Sequence, residues 1–206
     1  MKAVVQRVID ATVTVDGALK GGINYGLLVY LGVAHDDTAR DVDWLVEKIA
    51  NLRIFDDSEG KMNLSLIDIV NQPENEVNNI SVNYDFIEVN IEDVNNENIE
   101  VNTLKPHTEH TEDKKPISLI VPIGVLAVSQ FTLLGDAHKG RRPSWGGAAP
   151  PEKARELYLY FIEKMREKLP CASGEFQAHM KVSYTNDGPV TIILDSALPG
   201  SVATSD

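Results

Sequence analysis

Leu27-Leu28-Val29-Tyr30-Leu31-Gly32-Val33 is a continuous apolar run. A strand with one wet face alternates apolar and polar residues. This one does not alternate, so it reads as a core strand buried on both faces. Upstream, residues 2–9 and 12–15 read as strands, with Gly17 and Gly21-Gly22 as turn signals. Downstream, Asp36 or Asp37 is placed to cap a helix running to about Asn51, with Val42, Leu45, Ile49 and Leu52 as its apolar stripe. A second helix is expected after Pro150-Pro151, where proline suits the first turn. Ala154, Leu157, Tyr158, Phe161, Ile162 and Met165 form its buried face, and Pro170 ends it. Residues 64–70 and 117–129 are strand-like, and two more strands are expected around 176–184 and 189–195. Strands outnumber helices. The fold class is therefore α/β in the mixed α+β sense: a compact sheet or barrel-like core with two packed helices.

The chain has 206 residues, enough for one well-buried core, and a single domain is expected. Its 43% hydrophobic and 24% charged residues are ordinary for a globular protein. The one cysteine, Cys171, excludes an intrachain disulfide and fits a reducing compartment. It stands beside a proline with no base partner near it in sequence, so it reads as structural. Val4, Val5, Val8 and Ile9 are interrupted by Gln6, Arg7 and Asp10, which leaves no targeting h-region. No stretch approaches the length of a membrane span, and a cytoplasmic protein is expected.

A net charge of -12 argues against broad nucleic-acid binding. Much of that charge is local. Residues 69–116 hold eleven acidic residues against Lys105, Lys114 and Lys115. The rest of the chain is mildly acidic, and its bases cluster at His138, Lys139, Arg141 and Arg142. Such a patch suits a grip on a few phosphates. Within the acidic stretch, Ile80, Val82, Tyr84 and Phe86 alternate with polar residues, and Ile87, Val89 and Ile91 alternate in the opposite phase. That slip reads as a β-bulge. Asn95-Asn96-Glu97-Asn98 reads as a turn, after which Ile99 and Val101 resume the alternation. An inserted β-hairpin within 70–120, without catalytic groups, is the expectation. His107 and His110 follow Pro106 and read as loop rather than metal ligands. The tail 197–206 is expected to fray.

Three segments carry candidate chemistry. Ser129-Gln130-Phe131-Thr132 ends the strand Ile123–Ser129. Its hydroxyls would need an adjacent base to act as nucleophiles, and no Gly-x-Ser-x-Gly elbow surrounds Ser129. A role in bonding strand-end backbone stays open beside the nucleophilic one. Asn186-Asp187-Gly188-Pro189-Val190-Thr191 is a turn by composition. A sharper reading uses the peptide bond. An X-Pro bond adopts cis at small cost, and glycine admits a ligand close to the backbone. A cis Gly-Pro would aim two carbonyls the same way and form a rigid wall. Lys139-Gly140-Arg141-Arg142-Pro143-Ser144-Trp145 joins positive charge to an aromatic, which suits phosphate contact and base stacking; a solvated basic turn is the alternative.

Ser129-Gln130-Phe131-Thr132-Leu133 and Asn186-Asp187-Gly188-Pro189-Val190-Thr191, taken together, resemble the D-aminoacyl-tRNA deacylase (D-tyrosyl-tRNA deacylase) family. So do Met1-Lys2-Ala3-Val4-Val5-Gln6-Arg7-Val8, Leu52-Arg53-Ile54-Phe55, Gly60-Lys61-Met62-Asn63-Leu64-Ser65 and Lys139-Gly140-Arg141-Arg142-Pro143-Ser144. The likeness covers roughly residues 1–70 and 123–196. It implies a deacylase-like fold and hydrolysis of D-aminoacyl-tRNA, and of glycyl-tRNA mischarged on alanine tRNA. In that picture Ser129, Gln130, Phe131 and Thr132 line the pocket for the aminoacylated terminal adenosine. Gly188 and Pro189 form a chiral filter inserted from the partner subunit of a homodimer, and Arg7 braces it. An L-side chain would collide with the wall; glycine has nothing to collide. Met62, Lys139, Arg141, Arg142, Trp145, Asn186 and Thr191 are implied substrate contacts, with no cofactor or metal. Trp145 stands where the family usually has phenylalanine. Some relatives carry a trans Gly-Pro and accept small L-amino acids; Arg7 and Ser129–Thr132 look like the strict D-selective type. The resemblance further implies that the ribose 2′-hydroxyl assists water, while backbone N–H groups near Phe131 and Thr132 hold the oxyanion. Two other readings compete: a small-molecule amino-acid esterase using Thr132 or Ser129, and a non-enzymatic RNA-binding protein with the acidic stretch as a docking module.

Overall fold

The computed structural model describes residues 1–72 and 119–197. The expected hairpin, the His107 and His110 loop and the frayed tail lie outside these residues.

The chain opens with a long hairpin, β1 (Lys2–Val15) and β2 (Ala18–Gly32). Asp16 and Gly17 both take positive φ, 51° and 83°, as a two-residue hairpin turn with the twist of its strands requires. Then follow α1 (Ala39–Ala50), the short pair β3 (Phe55–Asp56) and β4 (Met62–Leu64), α2 (Leu66–Val70) and β5 (Ile120–Ser129). A 3-10 turn at Phe131–Leu134 leads to α3 (Pro151–Arg166), β6 (Cys171–Ser173) and β7 (Lys181–Asp195). The main sheet has the order β6-β5-β2-β1-β7. β1 is antiparallel to β2 and to β7, while β5 is parallel to β2 and β6. Among the described residues, no helix is long and apolar enough to cross a membrane.

The apolar run lies in the middle of this sheet and is covered on both faces. Leu27, Val29 and Leu31 point into the main core, with α1 and α3, while Leu28 enters a second core on the other face. β1 serves both. Ala3 and Val5 face the main core, and Val8, Ala11 and Val13 face the second. The phase change coincides with register shifts against β7 on either side of Val8. One strand with an irregularity, rather than two strands, therefore occupies 2–15. At the β2–β5 crossing Gly26 lies opposite Gly124. A Cβ on Gly26 would sit 2.0 Å from the Gly124 carbonyl oxygen, at φ +135°, so only glycine permits this approach. Each fully buried leucine or isoleucine here contributes roughly 1.5–3 kcal/mol of transfer free energy.

Several expectations need correction. Thr38 caps α1 with a capping box to Asp41. Asp37 is instead occupied by the Met1 amino group and the Ala34 N–H, each at 2.5 Å. α3 starts at Pro151 as expected but ends at Arg166, before Pro170. Residues 176–180 form a turn and β7 starts only at Lys181, then runs unbroken to Asp195. Residues 66–70 form a third helix, not a strand, because Ser65 and Asp68 form a second capping box. The Ser65 hydroxyl and N–H both donate to Asp68 Oδ2, at 2.7 and 2.8 Å, and the Asp68 N–H returns a bond to Ser65 Oγ at 3.3 Å. The acidic stretch thus leaves from a helix end, not from the strand of a hairpin.

The Ser65 hydroxyl and N–H hold the Asp68 carboxyl below its usual 3.8. A depressed folded pKa gives stability that is present above the unfolded value and is lost as pH falls through the folded one. Ser65→Ala is expected to cost about 1 kcal/mol. The melting temperatures of wild type and Asp68→Asn are expected to differ constantly from neutral pH to about pH 5. They should converge below about pH 4, read by calorimetry across that range.

Candidate active site

The end of β5 presents the first set of site residues. Ser129 closes the strand and Gln130 turns the chain into the 3-10 turn, its N–H donating to the Leu31 carbonyl at 2.8 Å. Gln130 Nε2 donates to Thr132 Oγ1. Phe131 is 57% exposed, an unusual place for such a ring, and meets Trp145 edge-on at 5.3 Å and 74°. Trp145 follows a loop closed by mutual backbone bonds between Asp136 and Ser144, both 2.9 Å. Lys139, Arg141 and Arg142 stand exposed on that loop. The His138 N–H and ring hold the Asp136 carboxyl below its ordinary value. An aromatic platform beside three exposed cations can stack a base and contact phosphate.

Ser129, Gln130 and Phe131 open onto a cavity of about 830 Å³. Its far wall comes from Phe176, Gln177, His179 and Met180, and its floor from Ala154 and Tyr158 of α3. Tyr158 is held by donating to the Ala127 carbonyl at 2.9 Å, and burial raises its pKa, so it stays neutral. Sequence reading missed this wall. Phe176, Ala178 and Met180 alternate with polar residues and imitate a strand, yet the segment turns, with Gln177 at φ +65°. His179 brings to the cavity an imidazole that spacing alone did not place near Ser129. Cys171 is buried, and burial pushes its thiol up to about 12, so it carries no thiolate near neutral pH.

The second set gathers on β7, at the other edge of the sheet. The Gly188-Pro189 bond is cis, as the sequence reading expected, and both residues are exposed. Asn186 stitches the turn: its Nδ2 donates to the carbonyls of Arg7 (2.9 Å) and Val190 (3.1 Å), and its Oδ1 accepts from Gln6 (3.1 Å). Thr191 Oγ1 accepts from Gln6 at 3.2 Å. Asn186 and Thr191 thereby build the loop. Arg7, only 6% exposed, reaches Asp187 Oδ2 with Nε at 2.8 Å, Asp56 Oδ2 with Nη1 at 3.5 Å, and donates to the Ile54 carbonyl at 2.7 Å. Nε is out of line for a hydrogen bond to Asp187, so the contact is an ion pair. It is a solvent-shielded brace, not a solvated strand residue. Met62 is exposed and pairs across β3–β4 with Asp56, which places it on this side also.

The two sets stand on different strands of the sheet, although β7 also lends Val182 to the cavity lining. β2 and β1 lie between β5 and β7, about 14 Å at the usual strand spacing. Ser129 is level, through Leu31 and Ala3, with Leu194, and Gly188 lies roughly 20 Å further along β7 at the usual rise.

The D-Tyr-tRNA(Tyr) deacylase family model matches residues 4–74 and 90–195. The chain belongs to that family. It is 45% identical over 196 residues to a D-aminoacyl-tRNA deacylase of Kosmotoga olearia, covering 95% of this chain and 97% of that protein. A D-aminoacyl-tRNA deacylase of Thermosipho melanesiensis is 43% identical over 95% of this chain and 97% of its own. The solved structure of a c-Myc DNA unwinding element binding protein superposes with a TM-score of 0.67 at 32% identity, over 96% of this chain and all of that one. All three candidate segments of this deacylase-family chain fall inside the matched residues.

Proposed function

We propose that this chain hydrolyses the ester joining a D-amino acid to the terminal ribose of tRNA. Water adds to the ester carbonyl, the carbonyl carbon–ribose oxygen bond breaks, and the ribose oxygen takes the proton. The products are the free D-amino acid and tRNA with an intact end. The family membership supports the reaction, and an aminoacyl-tRNA substrate is consistent with the cytoplasmic location that the sequence suggests. The observation that carries the site is the exposed Phe131 at the mouth of the cavity, flanked by Trp145 and the basic loop. In this reading Phe131 and Trp145 take the terminal base, and Lys139, Arg141 and Arg142 take nearby phosphates. The N–H groups at Phe131 and Thr132 face the oxyanion. Exclusion by a backbone wall also leaves glycyl-tRNA as a substrate. Single-turnover hydrolysis of D-tyrosyl-, L-tyrosyl- and glycyl-tRNA tests this. Equal rates on the two tyrosyl esters, or hydrolysis of D-tyrosine methyl ester at the tRNA rate, would favour a general esterase.

The working unit in this reading is a homodimer in which Gly188-Pro189 of one copy completes the cavity of the other. The separation of the two sets within one chain favours it, since neither set alone can hold and filter a substrate. So does an apolar row across the sheet. Ile193, Val4, Tyr30 and Val128 are register neighbours on the face away from α1 and α3. Ile193 is 76% exposed. Burial, then Tyr184, pushes the Tyr30 phenol up to about 12, so the row carries no charge there. Val128 is already buried in the second core, so what two copies facing across a two-fold axis would bury is the outer end of the row, Ile193 with the part-exposed Val4 and Tyr30. Ile193→Lys is expected to leave the folded monomer within about 0.5 kcal/mol, as exposed substitutions do. It should dissociate the dimer by placing a charge at a dry contact. Light scattering is expected to report a monomer with little activity; an intact, active dimer would exclude this face as the interface.

A further inference from the structure

Asp187 and Asp56 hold opposite sides of one buried guanidinium, and no role in the site has been assigned to either. Arg7 comes from β1, Asp56 from β3 and Asp187 from the residue before Gly188. The Arg7 side chain is nearly closed to solvent, whereas Asp187 and Asp56 keep part of theirs wet. Arg7 Nη2 also lies 3.3 Å from where a Cβ on Gly188 would stand. The guanidinium is therefore packed against the loop as well as paired with it. Its other fixed point is the Ile54 carbonyl, on the segment that leads into β3. Tyr25 meets Phe55 at 5.6 Å with the rings tilted by 58° and shares this cluster. Burial raises its phenol, Arg7 opposes that rise, and Asp187 and Asp56 add to it.

We propose that Asp187 is a positioning residue for stereochemical selection, with Asp56 as its weaker counterpart. This rests on the deacylase reading above. Asp187 ties the Gly188-Pro189 backbone to a guanidinium that cannot move, because Ile54 and Asp56 clamp it from the other side. The wall is thereby set relative to the β3–β4 hairpin that carries Met62. A wall selects by exclusion, so its worth depends on where it stands, and a small shift opens room for an L-side chain. Asp187 touches no reacting atom; it acts through the placement of Gly188 and Pro189.

Asp187→Asn keeps the shape and removes the charge. The ratio of kcat/KM for D-tyrosyl-tRNA to that for L-tyrosyl-tRNA is expected to fall by about tenfold, the scale of a lost charge-assisted contact. The KM for the D-substrate should change less than the ratio. Asp187→Glu is expected to restore part of the ratio, and Asp56→Asn, with its longer contact and wetter side chain, to lower it less than Asp187→Asn. Asp187→Ala, measured beside them, separates shape from charge. An unchanged ratio in Asp187→Asn and Asp187→Ala, with melting temperature lowered or not, would leave Asp187 a structural ion pair and overturn the proposal. A wild-type enzyme that hydrolyses both chiralities alike would instead sink the deacylase reading beneath it. The two failures are told apart by the wild-type lane.

Discussion

Gly188→Ala is expected to cut hydrolysis of D-aminoacyl-tRNA by about a hundredfold while leaving the protein folded. The residue sits at φ +107°, where L-side chains are strained. A Cβ there would stand 2.7 Å from Val190 Cγ2, 3.0 Å from the Val190 nitrogen and 3.3 Å from Arg7 Nη2. The Val190 methyl can yield, but its backbone nitrogen cannot without moving the turn that Asn186 holds through the Val190 carbonyl. Arg7 cannot yield either, because its head group is clamped by Ile54, Asp56 and Asp187. The loop must therefore shift, and a displacement of about 1 Å in a positioning element costs on the order of a hundredfold. Gly188 is exposed, so the melting temperature is expected to fall by only a few degrees. Single-turnover rates on D-tyrosyl-tRNA, with calorimetry on the same sample, check both statements. A variant with wild-type rate and wild-type chirality ratio would remove this loop from the active site.

Much of this architecture is legible in the sequence, because long elements repeat their pattern enough times to be read. The run Leu27–Val33 lies in the core, and the stripes of α1 and α3 bury Leu45, Ile49, Leu157, Tyr158, Phe161 and Met165 as their spacing requires. Short elements fail for lack of periods. The five residues of α2 cannot complete two helical turns, and its signal lies instead in Ser65 and Asp68, three residues apart. β6 has three residues next to Pro170 and exists only because β5 offers a parallel edge to Cys171–Ser173. The site divides in the same way. Phe131, Arg7, Gly188 and Pro189 belong to local motifs with a chemical reason for their residue types. The wall from Phe176 to Met180 and the floor from Ala154 and Tyr158 come from elements brought together only by the sheet order. Nothing local marks them. The bracing of Arg7 is likewise three-dimensional: Ile54 and Asp56, just before and at the end of β3, and Asp187 of β7 converge on it from parts of the chain far apart in sequence.

The strongest effect is expected from the substrate rather than from a side chain. Thr132 Oγ1 accepts the amide of Gln130, a partner that cannot take a proton. Ser129 shares the cavity with His179, which makes that imidazole the protein base to test. A hydroxyl nucleophile needs such a base in contact, and the ester of an aminoacyl-tRNA brings its own neighbouring hydroxyl. If the ribose 2′-hydroxyl orients or activates water, tRNA ending in 2′-deoxyadenosine and charged on its 3′-oxygen should bind normally. It should then react roughly a hundred- to ten-thousandfold more slowly, the range of general acid–base assistance. Thr132→Val removes the hydroxyl and keeps the branched shape, and His179→Asn keeps a polar group without a usable base. Both variants are expected to lose less than about tenfold, well short of the roughly hundred- to thousandfold of a missing oxyanion donor. The decisive comparison is the deoxy substrate on wild type against the normal substrate on His179→Asn. Normal turnover of the deoxy substrate with a collapsed His179→Asn rate, or an acyl group trapped on Ser129 or Thr132, would move the chemistry from the RNA to a protein hydroxyl and its imidazole.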